Sequence, residues 1–324
     1  MTAVPIVVGL VNGMPGEAFG HTERQFRAIL AEAGGEQVEL RLYSLDGARP
    51  QCHDITALRV APPDELIVTG MPPRAAALTD EPYWHTLTAL VDFAAGRAVP
   101  TVWSCLAAHA AVLYLDGIER RRLPEKLSGL VECTRTDAGH PAMDGLPWRW
   151  QMPHSRYNDL PEATLRARGY RILSRSAAAG ADIFAKTVGA PFLFCQGHPE
   201  YDAHTLLLEY RRDIRQFLAG ERDAYPAAPQ NYFSPNVLAL LAAFRDRSLR
   251  ERRIETFEAF PMAACAADVS HGWYDLAVSL YANWLAGVVT RMGRYPEAGE
   301  IEPARIAEHR AETKAVPTFG AEAR

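Results

Sequence analysis

Cysteine is scarce in this chain and spaced for neither a metal nor a disulfide framework. Among 324 residues there are five, Cys52, Cys105, Cys133, Cys195 and Cys265, with no CxxC pair and no Cys/His zinc spacing. An odd count without such spacing argues against a disulfide scaffold and against a structural metal, and a reducing cytoplasm is the compartment that suits it. Long apolar runs are missing as well. No stretch approaches the ~18 apolar residues of a membrane-spanning helix. The opening MTAVPIVVGLVNGMPGE lacks the basic n-region and small-residue cleavage site of a secretory leader. A basic excess is also absent: 34 Lys and Arg stand against 39 Asp and Glu, a formal net charge of -5. No broad cationic face for nucleic acid or anionic membrane follows from that balance, which leaves room for a local basic cluster holding a phosphorylated cofactor. No internal repeat stands out.

What is present is ordinary globular material, 48% hydrophobic and 23% charged, in a chain long enough for one large α/β domain with an appendage. Short apolar runs alternate with longer amphipathic ones. IVVGLV (6–11) reads as a buried strand, TERQFRAILAEAG (22–34) as a helix ended by Gly34 and Gly35, and VELRLYSL (38–45) as a second strand. ELIVTG (65–70) is a third strand, followed by a helix around Tyr83–Phe93. PTVWSC (100–105) is a fourth and runs directly into the helix LAAHAAVLYLDGI (106–118). This alternation predicts a flavodoxin-like, doubly wound parallel sheet covered by helices on both faces. The middle, 128–198, is more β-rich and finishes on the buried strand of APFLFCQGHPE. Helical stretches follow over 204–218, 235–259 and 271–292, and the last ~30 residues, without apolar periodicity, read as a surface tail.

Chemistry concentrates at two strand ends. Cys105 closes a buried strand and opens a helix, and in open α/β sheets ligands bind beyond the carboxyl ends of the strands. A thiol at such a turn has backbone N–H groups and a helix dipole to stabilise anionic sulfur and an oxyanion, with the N–H of Leu106 the first available donor. Alone, a cysteine there is more often a buried structural thiol. The second strand end changes the balance. In GHPEY (197–201), His198 and Glu200 are two residues apart and point the same way if the strand continues. Glu200 can then hold the His198 imidazole in one tautomer, completing a nucleophile–base–acid triad.

Strand–Cys–helix followed by His-Pro-Glu resembles the class I glutamine amidotransferase superfamily, and the surrounding motifs resemble one branch of it, the homoserine O-succinyltransferase family of methionine biosynthesis. The stretches that carry the resemblance are LIVTGMP (66–72), the Cys105 segment through LYLDGI, EKLSGL (125–130), PHSRYND (153–159), GHPEYDAHTLLLEYRRDI (197–214), NYFSP (231–235) and HGWYDLAVSLYANWL (271–285). It is close over roughly residues 4–235 and looser beyond. The resemblance implies that Cys105 accepts the acyl group, that His198 is the general base and that Glu200 is its partner. It places Lys126 at the substrate or cofactor site, Ser155 at recognition of the amino-acid acceptor, and Arg212 on the acceptor carboxylate, a task suited to a bidentate guanidinium. Arg156 would assist, with a surface arginine the equal alternative; Lys126 taken alone reads as a solvated helix-end lysine. No bound cofactor is implied, acyl-CoA being a co-substrate, and a homodimer is the expected assembly. Residues 1–230 would form the amidotransferase-like acyltransferase domain, 231–294 a helical extension packed on it and 295–324 the tail.

The chain departs from the family pattern in places. Leu106 follows the nucleophile where the family usually has Trp or another large residue, and 236–270 looks expanded, with an Arg-rich helix RDRSLRERR. After TGMPP, where the family carries Gly with succinyl-CoA or Glu with acetyl-CoA, this chain has Arg74. Two other readings share the triad order. One is a glutaminase subunit, disfavoured because Ser104 and Leu106 flank the nucleophile instead of glycines; the other is a non-catalytic binding protein, which has no chemical reason to keep all three residues.

Overall fold

The computed structural model describes residues 5–292 other than 46 and 48; the tail expected over 295–324 lies outside the described residues. In chain order the strands are β1 (Ile6–Asn12), β2 (Val38–Ser44), β3 (Glu65–Val68), β4 (Thr101–Ser104), β5 (Arg121–Arg135) and β6 (Arg149–Asp159), then β7 (Arg171–Ile172), β8 (Ser174–Ser176), β9 (Gly180–Ala181), β10 (Ile183–Val188) and β11 (Ala190–Cys195). The helices are α1 (Gly16–Gly34), α2 (Ala57–Val60), α3 (Trp84–Gly96), α4 (Leu106–Asp116), α5 (Glu162–Ala167), α6 (Thr205–Leu218), α7 (Pro235–Arg250), α8 (Met262–Asp268) and α9 (Tyr274–Met292).

The central sheet has the order β2-β1-β3-β4-β11-β10-β7. Its first five strands are parallel, and β10 and β7 add an antiparallel edge. Strands buried on both faces must be apolar at successive positions, and these are. Leu66, Val68, Trp103, Phe192 and Phe194 face the layer of α3 and α4, whereas Ile67, Val102, Leu193 and Cys195 face Phe26 and Ile29 of α1 and Tyr281 and Trp284 of α9. α1 begins a turn and a half before the expected start because Phe19 shares the buried face of Phe26 and Leu30.

Part of the β-rich middle forms a second, antiparallel sheet of order β6-β5-β8-β9, while β7, β10 and β11 join the central sheet. The helix expected over 235–259 is shorter: α7 is capped by the Ser234 hydroxyl, which accepts from Val237 N, and ends at Arg250, after which a 3-10 turn spans Ile254–Ala259. α6, α7 and α8 bury an apolar cluster of their own around Phe217, Phe244, Phe260 and Trp273. No helix among the described residues is long and apolar enough to cross a membrane.

Candidate active site

The carboxyl ends of β3, β4 and β11 lie side by side, in register Val68–Trp103–Phe194. The residues following them therefore meet at one edge of the sheet. Cys105, between β4 and α4, has φ 49° and ψ -110°, a conformation that L-residues rarely adopt and that costs on the order of 1–3 kcal/mol. The turn is held by Cys105 N–H donating to Cys195 O at 2.7 Å. Such strain lifts a nucleophile out of the strand and onto the helix N-terminus. A glycine faces it. A Cβ placed on Gly70 would lie 3.1 Å from Cys105 Cβ and 3.7 Å from Leu106 N. Gly70 therefore keeps clear the space beside the Leu106 N–H, where an oxyanion would sit. The bare glycine of TGMP is the one signal in the sequence for this role, which was not among those expected.

His198 and Glu200 follow β11 and are both 5% exposed. His198 Nδ1 lies 2.8 Å from Glu200 Oε1. A carboxylate only accepts, so a proton sits on Nδ1, and the other nitrogen is left for the Cys105 sulfur, whose charge acts on the ring. Ser104 Oγ also donates to Glu200 Oε1, at 3.4 Å. The Tyr201 ring stacks on the imidazole with centroids 4.2 Å apart. Burial opposes charge on His198, but the Glu200 carboxylate and the Cys105 sulfur outweigh it and raise its pKa well above the usual imidazole value. Removing the charge from the sulfur would remove part of that support and lower the pKa of the ring. The same sign applies to Cys105→Ala, in which His198 is expected to titrate at lower pH than in the wild type. An NMR titration of the imidazole checks this, and equal midpoints would show that the sulfur does not act on the ring.

A polar cluster lies beyond Tyr201. The Tyr201 hydroxyl donates to Glu209 Oε1 at 2.7 Å, and Ser155 Oγ donates to Glu209 Oε2. Lys126 Nζ sits 2.9 Å from Asp213 Oδ2 and 3.7 Å from Glu209 Oε2. Arg212 donates to Asp213 Oδ1 at 2.8 and 3.1 Å while its side chain remains 56% exposed. Burial works against ionising Asp213, but Lys126 and Arg212 prevail and hold it below the usual carboxylate range. Glu209 and Asp213, four residues apart on one face of α6, organise the cluster, and neither is among the site residues expected from the sequence.

Lys126 thus lies in strand β5 with a side chain 14% exposed, not at a solvated helix end. Arg156 does not lie at the surface either. It is 4% exposed. It donates to Asn158 O and Ala179 O, each at 2.5 Å, and to His154 Nδ1 at 3.3 Å. Arg74 stands on the loop after β3; its N–H and that of Ala75 donate to the buried Glu81 carboxylate at 2.9–3.1 Å, and its side chain is exposed. The structure therefore brings Cys105, Leu106, His198 and Glu200 together, joins Lys126, Ser155 and Arg212 in the adjoining cluster, and holds Arg156 internally.

A strained thiol, a carboxylate-oriented imidazole and a nearby helix N-terminus suit acyl transfer through sulfur. Comparison with solved structures agrees on the fold. A glutamine amidotransferase from Methylobacillus flagellatus aligns with a TM-score of 0.53 at 18% identity, covering 93% of this chain and all (100%) of that one. A glutamine amidotransferase from Thermotoga maritima aligns at 0.52 and 13% identity, covering 89% and 99%. Sequence relatives are much nearer. The homoserine O-succinyltransferase of Methylorubrum extorquens is 48% identical over 295 residues, 88% of each chain. That of Rhodopseudomonas palustris is 44% identical over 298 residues, 88% of this chain and 89% of its own. The homoserine O-succinyltransferase family profile matches residues 2–295, and the chain belongs to that family of O-acyltransferases.

Proposed function

We propose that the protein transfers an acyl group from acyl-CoA, with succinyl-CoA favoured, to the hydroxyl of homoserine through a thioester on Cys105. The observation that carries this reading is the buried His198–Glu200 pair, whose imidazole is charge-coupled to a strained Cys105 at the mouth of α4. In the first half-reaction His198 takes the Cys105 proton, sulfur attacks the thioester carbonyl, and the CoA thiolate leaves with that proton. The Leu106 N–H faces the oxyanion. In the second half-reaction His198 takes the homoserine hydroxyl proton, the oxygen attacks the enzyme thioester, and Cys105 departs and is reprotonated. Exchange of one thioester for another is nearly isoenergetic, and water must be kept out until the alcohol arrives. Membership of an O-acyltransferase family sets aside the glutaminase and binding-protein readings. The test is CoA release from a panel of acyl-CoAs with homoserine, serine and related amino alcohols. Activity confined to an acceptor other than homoserine would refute this assignment.

Arg212 is the carboxylate clamp in this reading, supported by its exposed guanidinium beside Lys126 and Ser155. Arg212→Ala is expected to raise the acceptor KM by about 10-fold or more, the cost of a charge-assisted bidentate pair, while the acyl-enzyme forms at near-normal rate. Loss of the loading step instead would remove Arg212 from the acceptor site.

Arg74 is proposed to favour a dicarboxylic acyl group, its always-charged guanidinium being able to pair with the succinyl carboxylate. The ratio of kcat/KM for succinyl-CoA to that for acetyl-CoA should exceed one in the wild type. It should fall by about 5- to 100-fold in Arg74→Gly, corresponding to about 1–3 kcal/mol. An unmoved ratio eliminates the idea.

A further inference from the structure

Directly behind the catalytic histidine lies a second histidine–carboxylate pair that the reaction does not touch. His154 of β6 and Asp182, in the turn before β10, are both 0% exposed. His154 Nε2 lies 3.4 Å from Asp182 Oδ1, a contact short of hydrogen-bond geometry, and neither atom has a hydrogen-bond partner among the described residues. On the far side of the ring, Arg156 Nε donates to His154 Nδ1 at 3.3 Å. Asp182 Oδ2 accepts from Ser174 Oγ at 2.8 Å. We infer that Arg156, His154 and Asp182 form a buried positioning chain that sets the placement of His198 through Gly197.

The chemistry of the donors fixes the tautomer. A guanidinium has no acceptor, so His154 Nδ1 must carry the lone pair and Nε2 the proton. Burial holds His154 below the usual imidazole pKa, which keeps the ring neutral, and the Nε2 proton then lies on the side of the ring nearest Asp182. Cys133 completes a group whose sulfur, nitrogen and oxygen atoms lie within 4.8 Å of one another, a set that on composition could hold zinc. The tautomer argues against it. A metal on Nε2 would force the proton onto Nδ1, where it would confront the Arg156 N–H, donor against donor.

Backbone bonds tie this chain to the catalytic loop. His198 N–H donates to the carbonyl of Pro153, the neighbour of His154, at 2.8 Å, and Gln196 N–H donates to Asp182 O at 2.9 Å. Gly197 lies between. A Cβ there would stand 2.7 Å from Asp182 Oδ1, 3.0 Å from His154 Nε2 and 2.5 Å from Met152 Cγ. The backbone that carries His198 thus rests directly on the pair, at a distance only glycine permits. A base misplaced by a fraction of an ångström loses much of its rate, so the pair acts on kcat without meeting either substrate. These are positioning residues, and the inference rests on the reading of His198 as the base.

The experiment uses the full-length enzyme and the variants Asp182→Asn, Gly197→Ala and His198→Ala. Folding is followed by circular dichroism, kcat and both KM values are measured, and the histidines are observed by 15N NMR. In the wild type, His154 should show the neutral, Nε2-protonated signature across neutral pH, a result that needs no variant. Folded Asp182→Asn and Gly197→Ala should lose about 10- to 100-fold in kcat, with both KM values within about 2-fold, and should shift the His198 resonances. An Nδ1-protonated or charged His154, one equivalent of zinc in the purified protein, or folded variants with wild-type kcat would each overturn the inference. The two readings fail separately. An inactive His198→Ala beside fully active Asp182→Asn and Gly197→Ala refutes only the positioning chain, whereas an active His198→Ala refutes the base assignment itself.

Discussion

Cys105→Ala is expected to abolish both turnover and acyl-enzyme formation while leaving the protein folded. Both half-reactions of the proposed mechanism pass through a thioester on this sulfur, so no residual route exists beyond the background rate. The fold should survive because the change removes one atom from a partly exposed side chain, and such changes rarely cost enough to unfold a domain of this size. Alanine also inherits the φ of 49° at no greater strain than cysteine. Cys105→Ser should be severely impaired as well, since a hydroxyl is far harder to activate as a nucleophile than a thiol. The check is steady-state CoA release together with a thermal melt for each variant. Full activity in the alanine variant would end the covalent account.

His198→Ala is expected to lower kcat by about 10²–10⁴-fold, the usual share of a positioned general base, and to leave both KM values within a few-fold. The buried hydrogen bond from Nδ1 to Glu200 at 2.8 Å puts the two residues in one unit. Glu200→Gln keeps the shape but loses the charge that supports the imidazolium, and should cost less than loss of the ring. Stopped-flow measurement of loading and transfer separates the two half-reactions, and both should slow. A substitution that changed only KM would remove His198 from the chemistry.

Much of this arrangement was legible before the structure. The run PTVWSC feeding LAAHAAVLYL announces a strand ending on a cysteine at a helix start, because apolar periodicity changes at Cys105 itself. GHPEY shows its histidine and glutamate by their spacing of two. What stayed hidden is what pattern does not encode. The positive φ at Cys105 belongs to a non-glycine residue, so no residue type signals it. Lys126 was hard to place because β5 is exposed over its first half and shows no clean alternation, and Pro124 suggests a break. Arg156 was hidden for a different reason: the main-chain carbonyls of Asn158 and Ala179, which satisfy it, leave no mark in the sequence. Without them an arginine reads as a surface group. Glu209 and Asp213 had a signal, their spacing of four on an amphipathic helix, but such pairs are common on solvated faces and say nothing without Lys126 and Ser155 beside them.

The central claim is the thioester on Cys105, and peptide-mapping mass spectrometry tests it most directly. The enzyme is incubated with succinyl-CoA in the absence of acceptor, digested and mapped. A mass increase of one succinyl group on the peptide containing Cys105, equimolar release of CoA, discharge on adding homoserine and no adduct in Cys105→Ala are the predicted results. Turnover without any adduct under rapid quenching, or an adduct carried by another residue, would contradict the account.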